Sequence, residues 1–192
     1  DEILKVIEAK KDQDVFGYSI VIAKDRTVFL ADTAVNELAS SEELAHTAIK
    51  MAEEVRKFGH TPRVALVSFS NFGSQLRTES SRIQNAKKIL DDLKVDFEYD
   101  GEMSPDVALN QELLNIYPFS NLTKPANILI MPGLHSAVIS SKLMQELGGS
   151  SVIGPVLSGL EKSAQICSLG ASVNDIINLG AIGAVKHKEQ NG

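Results

Sequence analysis

Three stretches of this 192-residue sequence gather the small polar side chains that ligand chemistry needs. The first, Ser68-Phe69-Ser70-Asn71-Phe72-Gly73-Ser74, follows the apolar run Val64-Ala65-Leu66-Val67. Small residues let a backbone come close to a ligand. The hydroxyls of Ser68, Ser70 and Ser74, the amide of Asn71 and the backbone at Gly73 suit a phosphate or similar anion. No GKS or GKT follows, so this is not a P-loop, and an ordinary strand-to-helix loop is the alternative. The second stretch is Met131-Pro132-Gly133-Leu134-His135-Ser136. His135 at a helix start suits donation to an anion or proton exchange; the plain alternative is a surface His beside a Ser136 helix cap. The third is Ser168-Leu169-Gly170-Ala171-Ser172-Val173-Asn174-Asp175. Ser172 and Asp175 form an S-x-x-D helix cap. The functional alternative has Ser168 donating to a bound group and Asp175 acting as a base toward a thiol. Spacing leaves both open.

These stretches must sit on elements that position them. Phe16 to Ile22 and Thr27 to Leu30 read as strands of a hairpin joined by Ala23 to Arg26. Ser40-Ser41-Glu42-Glu43 is a capping box, followed by Leu44, Ala48, Met51, Ala52 and Val55 at helical spacing and a stop at Gly59. Val64 to Phe69 and Asn127 to Met131 are dense enough for buried strands, and Val95 to Tyr99 reads as another. Ile83, Ala86, Ile89, Leu90 and Leu93 mark a helix between them. Ser104-Pro105 opens a short helix, and Ser136 caps one through Leu147. Ser151 to Leu157 is extended and split at Gly154-Pro155, Gln165 to Ser168 is a short strand, and a last helix starts near Ser172. Ile3, Leu4, Val6 and Ile7 suggest an opening helix, and the tail Lys186 to Gly192 reads as frayed. Such alternation predicts an α/β fold, a three-layer α/β/α arrangement over a mostly parallel sheet. Ligands of such sheets sit where strands end and helices begin. That edge is expected to hold Ser68 to Ser74, Asp106 and Pro132 to Ser136.

Composition narrows the partners. Lys plus Arg is 19 against 25 Asp plus Glu, a formal net charge of −6. That balance excludes a basic nucleic-acid binder and a polybasic membrane-surface protein, and no apolar run reaches the ~20 residues of a membrane span. A single Cys gives no disulfide framework. The expectation is a soluble, cytoplasmic protein. Cys167 sits in an apolar stretch and reads as packed. Asp32 and Asp106 have no partner at metal-ligand spacing, so no metal site is expected, and no GxGxxG marks a dinucleotide site. Glu53-Glu54 and Lys87-Lys88 read as solvated helix faces. The chain opens at Asp1 inside an expected helix, which suggests a fragment of a longer polypeptide. The final helix is apolar on several sides (Ile176, Ile177, Leu179, Ile182, Val185), which predicts a homodimer or higher homo-oligomer.

Taken in order, TVFLADTAVN (27–36), SSEELAHTAIKMAEEVRKFGHTPRVALVSFSNFGS (40–74), DGEMSPDVALN (100–110), PANILIMPGLHSAVISSKLMQELGGSSVIGPVLSGLEKSAQI (125–166) and SLGASVNDIINLGAI (168–182) resemble the phosphate acetyl/butyryl transferase family, that of the phosphotransacetylases. Within it, DFEYDGEMSPDVALN, YPFSNL and SLGASVNDI are most similar to the C-terminal domain of bacterial NADP-dependent malic enzymes. The resemblance implies a phosphotransacetylase-like lobe (isocitrate/isopropylmalate dehydrogenase-like), with residues of about 1–30 and 168–192 belonging to a second, mostly absent lobe. It implies acetyl-CoA or phosphate as ligand, contacted by Ser68, Ser70, Asn71, Gly73, Ser74, Asp106, Pro132, His135, Ser136 and Ser168. Ser168 and Asp175 match the transferase's catalytic Ser and Asp. The Arg that follows this Ser is replaced by Leu169, and the Asp and first Asn of the family's PDLNAGN by Gly133 and His135. Without that guanidinium an incoming phosphate loses a charge-assisted clamp. The implied function is an acetyl-CoA-binding regulatory and assembly domain, with NADP and a divalent metal confined to upstream domains; an active phosphate acetyltransferase is the alternative.

Overall fold

A computed structural model describes residues 5–191 apart from 12–13, 24, 33, 36 and 74–77. Ser74, Ile3 and Leu4 therefore lie outside the described residues. The chain builds strands β1 (Phe16–Ile22), β2 (Thr27–Ala31), β3 (Arg63–Val67), β4 (Glu98–Met103), β5 (Ile128–Ile130) and β6 (Ser151–Ser158). Between them come helices α1 (Ser41–Lys57), α2 (Thr78–Leu93), α3 (Pro105–Leu109), α4 (Gln111–Leu114), α5 (Leu134–Leu147) and α6 (Val173–Asn191). The strands form one six-stranded sheet in the order β4-β3-β5-β2-β1-β6. β2 to β5 pair in parallel, β1 is antiparallel to β2, and β6 is antiparallel to β1. β1 alone thus opposes the others. β1 and β2 both belong to this sheet.

Period-two alternation sorts the strands' side chains onto two covered faces. Tyr18, Ile20, Phe29, Val64, Leu66, Ile128 and Ile130 pack under α1, α2 and Leu179 of α6. Val21, Val28, Leu30, Ala65, Val67 and Leu129 pack under α3, α4 and α5. The result is the expected α/β/α layering. α1 starts on its capping box, with Ser40 Oγ accepting the Glu43 N–H and Glu43 Oε2 accepting the Ser40 N–H at 3.1 and 2.6 Å. It ends before Gly59, whose φ of +79° suits glycine.

Several expectations change. The strand expected at Val95 to Tyr99 runs instead from Glu98 to Met103. Its Asp100 and Glu102 look like loop residues in sequence, yet both are buried because backbone and hydroxyl donors meet their carboxylates. Ser136 does not cap α5. Gly133 is the N-cap, and Ser136 Oγ donates back to the Gly133 carbonyl at 2.7 Å. Gln165 to Ser168 is not a strand, and Cys167 is exposed rather than packed. Val6 and Ile7 lie in a turn and a bend rather than a helix, and Ala9 bridges Leu160. The tail is helical to Asn191.

Glu54 departs furthest from expectation: it is 6% exposed rather than on a solvated face. Its Oε2 accepts from Tyr18 Oη at 3.1 Å and Lys186 Nζ at 2.5 Å. Its Oε1 accepts from Lys57 Nζ at 2.7 Å and Ser158 Oγ at 3.3 Å. Lys186 also lies over the Tyr18 ring, 5.5 Å from its centroid. One carboxylate therefore ties α6 to α1, β1 and β6. Burial pushes its pKa up, but Lys186 and Lys57 outweigh burial and hold it below the usual carboxylate range.

Glu54→Gln leaves Lys186 buried without its counter-charge and is expected to cost about 3 kcal/mol in denaturant unfolding. Because the folded carboxyl is held low, its contribution is complete above the unfolded pKa of about 4.3 and is lost as pH falls through the folded value. The wild type should lose stability more steeply than Glu54→Gln below about pH 4; parallel unfolding curves across that range would contradict the assignment.

Candidate functional site

Parallel pairing fixes where the small polar junctions lie. β2, β3, β4 and β5 run the same way, so Asp32, Ser68 to Gly73, Ser104 to Asp106 and Met131 to Ser136 all leave the sheet at one edge. β6 ends at this edge too, since Ser158 pairs with Phe16.

The junction after β3 is fastened to the one after β4. Backbone amides of Ser68 and Phe72 donate to the carbonyls of Met103 and Glu102 at 2.9 and 2.8 Å. Ser70 Oγ donates to Glu102 Oε1 at 2.5 Å, and the Gly73 N–H donates to the same oxygen at 3.2 Å. Asn71 Oδ1 accepts from the Ser104 N–H at 2.7 Å, and Ser104 Oγ lies 3.1 Å from the same oxygen. The loop turns through Phe72 and Gly73 at φ +49° and +79°. Phe72 is supported by Tyr117 and Phe119, with ring centroids 4.9 and 5.0 Å away. Asp106 is exposed in the first turn of α3. The Ser104 hydroxyl, then the Val107 amide, hold its carboxyl below the usual range against burial.

The junction after β5 is held by Arg82 of α2. Its Nη1 donates to the Ala39 carbonyl at 2.7 Å and its Nη2 to the Pro132 carbonyl at 2.8 Å. Ser41 Oγ donates to the Arg82 carbonyl at 3.0 Å. The starts of α1 and α5 are thereby joined through α2. Among the described residues no carboxylate pairs with this guanidinium. A Cβ on Gly133 would sit 2.7 Å from the Glu37 carbonyl oxygen, which explains why this backbone carries no side chain there. His135 is exposed in the first turn of α5.

After β2, buried Asp32 accepts from the Gly17, Ala34 and Val35 amides at 3.0, 2.9 and 3.2 Å through Oδ1. It organises that turn. Arg82 and Glu102 escaped the sequence reading. The available signal was the -DGE- run directly before Met103-Ser104-Pro105, too polar for a strand unless its acids were met from inside.

Ser168 and Asp175 stand apart. No hydrogen bond or ion pair among the described residues joins them to the loops after β2 to β5. Ser168 is exposed, and Leu169 is fully exposed at 111%. Asp175 Oδ2 accepts from the Ser172 N–H and Oγ, both at 2.8 Å. The Asp175 N–H donates to Ser172 Oγ at 3.2 Å. The Ser172 amide and then its hydroxyl hold the Asp175 carboxyl below the usual range. This is a helix cap. Among the described residues no cluster of His, Cys, Asp or Glu is placed to hold a metal ion, and no helix is long and apolar enough to cross a membrane.

The family model for phosphate acetyl/butaryl transferases matches residues 1–184. An NADP-dependent malic enzyme of Rhizobium meliloti (strain 1021) is 49% identical over 184 residues, covering 96% of this chain and 24% of that protein. A phosphate acetyltransferase of Clostridium acetobutylicum is 35% identical over 180 residues, covering 90% of this chain and 54% of that protein. The crystal structure of a phosphotransacetylase from Streptococcus pyogenes superposes with a TM-score of 0.88 at 32% identity, covering 97% of this chain and 58% of that one. The EutD phosphotransacetylase from Staphylococcus aureus gives 0.84 at 30% identity, covering 96% and 58%. The chain thus spans 24% of the malic enzyme's length and just over half of the phosphotransacetylases'.

If Asp175 is held as a cap, Ser172→Ala should cost about 1 kcal/mol and speed amide exchange at the start of α6. Unchanged exchange at Asp175 and Ile176 would count against the capping assignment.

Proposed function

The chain belongs to the phosphate acetyl/butaryl transferase family, and from that membership we propose that it is an acetyl-CoA-binding regulatory and assembly domain of a cytoplasmic NADP-dependent malic enzyme. Arg82 carries the ligand part of the reading. This guanidinium is held by two carbonyls, among the described residues no carboxylate pairs with it, and it stands where α1, α2 and α5 present their N-terminal ends. That combination attracts phosphate groups, which acetyl-CoA carries and a purely structural junction does not need.

The lack of turnover follows from the other end of the site. Leu169 occupies the position where the transferase has an Arg, so inorganic phosphate has no guanidinium beside Ser168. Asp175 has a structural duty in capping α6. Malate oxidation, with its NADP and divalent metal, is assigned to parts of the longer protein outside this chain. The retained Ser168 and Asp175 and the 35% identity to a phosphate acetyltransferase favour one second reading, an active phosphate acetyltransferase.

The assembly part rests on apolar surface. Val173, Ile176, Ile177 and Val185 on α6 are 73, 56, 60 and 60% exposed, and Ile139, Leu143 and Leu147 on α5 are 57, 53 and 82%. This much uncovered aliphatic surface is what a subunit or lobe contact buries. Residues 168–192 are accordingly assigned to a second lobe completed by other parts of the protein, and the whole to a homo-oligomer.

Two measurements on the full-length protein test this. Acetyl-CoA titration should change malate oxidation saturably while acetyl phosphate formation stays near background, and Arg82→Gln should weaken acetyl-CoA about tenfold with Arg82→Lys between the two. Rapid acetyl phosphate formation with no response of malate oxidation would establish the acetyltransferase instead. In sedimentation, the protein should run as a dimer or larger, and Ile176→Asp with Ile177→Asp should shift it toward smaller species. A monomeric wild type at high concentration would remove the assembly role.

A further inference from the structure

A cavity of about 430 Å³ lies between α1, the start of β1, the end of β6 and Lys186 of α6. None of its lining residues belongs to the junctions that follow β2 to β5. Its volume is that of a small-molecule site. Its walls include Phe16, Leu157 and Leu160, which are 4, 6 and 3% exposed. Its rim is fastened, because the segments before β1 and after β6 stay paired beyond the sheet. The Lys10 N–H donates to the Gly159 carbonyl at 2.8 Å, and the Glu161 N–H donates to the Glu8 carbonyl at 2.9 Å. Gly159 turns at φ +88°, where a Cβ would run into the Asp14 carbonyl oxygen.

Four lysines line this space: Lys10 from the paired rim, Lys50 and Lys57 from α1, and Lys186 from α6. Against them stand the acids Asp14, Glu53 and Glu54. With His46 neutral, the lining has a formal excess of one positive charge in a chain of net charge −6. Pairing within the cavity does not remove that excess. Glu54 answers both Lys57 and Lys186 with a single negative charge. Lys50 Nζ lies 3.0 Å from Asp14 Oδ2, but the Asp14 side chain is 81% exposed, so water screens its charge. Among the described residues no carboxylate pairs with Lys10. Lys186 brings three N–H groups to two acceptors, Glu54 Oε2 at 2.5 Å and Ser158 Oγ at 3.1 Å. Positive charge between apolar walls focuses the field of a cleft and draws anions into it. Ammonium groups act there as point charges and do not impose the planar fork of a guanidinium.

We propose that this cavity is a binding site for a small dianionic oxyanion, of which phosphate is the simplest, distinct from the edge at Arg82. Lys10, Lys50 and Lys186 receive the anion. Because Lys186 and Lys57 also fasten α6 through Glu54, the anion supplies the second negative charge that these two ammonium groups lack. Occupancy therefore tightens α6 against α1 and β6.

Calorimetric titration of the full-length protein tests this with two probes at constant ionic strength, inorganic phosphate and the dicarboxylate succinate. An Arg82→Gln background keeps the edge from contributing. Saturable binding of at least one probe is expected, and the tighter of the two identifies the oxyanion class. Lys10→Gln and Lys50→Gln should each weaken it about threefold, and Glu53→Gln, which removes an exposed acid, should strengthen it about threefold. These three substitutions leave the Glu54 clasp intact, and structural damage would not produce opposite signs. Hydrogen exchange should slow around Lys186 when the bound probe is present. Binding of neither probe would overturn the proposal. Affinities indifferent to all three substitutions, or exchange unchanged around Lys186, would place the anion elsewhere and overturn it equally. Should Arg82→Gln fail to fold, the same three substitutions in the wild type decide, because none of them lies in the Arg82 junction.

Discussion

A buried carboxylate has to be answered from inside the protein, and Glu54 is where this structure meets that demand with cations. Lys186 and Lys57 reach it from α6 and α1, and Tyr18 and Ser158 complete its hydrogen bonds from β1 and β6. Among the described residues the last helix adds Leu179 to the buried core and Ile182 against its margin. Electrostatic pinning thus supplements this packing, and it fixes where the Ser168 to Asp175 segment hangs relative to the sheet.

The same demand, met differently, shapes the ligand edge. Asp32, Asp100 and Glu102 are all buried, and backbone N–H groups meet each of them, with the Ser70 hydroxyl added at Glu102. Acids answered by amides hold loops at strand ends without consuming cations. Arg82 is left to bridge two carbonyls, and among the described residues no carboxylate pairs with it. The edge therefore combines loops fastened by hydrogen bonds with a guanidinium held by carbonyls.

Strand direction supplies the rest of the geometry. Because β2 to β5 are parallel, residues separated by scores of positions in sequence discharge at one edge. The segment carrying Ser168 and Asp175 is placed by a different set of contacts, through β6 and α6. In the family reading, loops and segment face one ligand. In this chain they are two separately supported halves, and α5 and α6 carry exposed aliphatic faces.

The sequence by itself determined the layered α/β fold, the hairpin of β1 and β2, the buried runs of β3 and β5, and the capping of α1. These depend on local pattern: periodicity of apolar side chains and a hydroxyl three residues from a carboxylate. The family was also legible, because its junction residues keep their order along the chain. What only tertiary structure decided were the fates of polar residues. Glu54 looked solvated and is buried; Asp100 and Glu102 looked like loop and are strand; Gln165 to Ser168 looked like strand and is not. Arg82 drew no attention in sequence and is the bridge between two helix starts. A polar side chain's cost is set by partners that arrive from distant parts of the chain, and no local pattern records who those partners are.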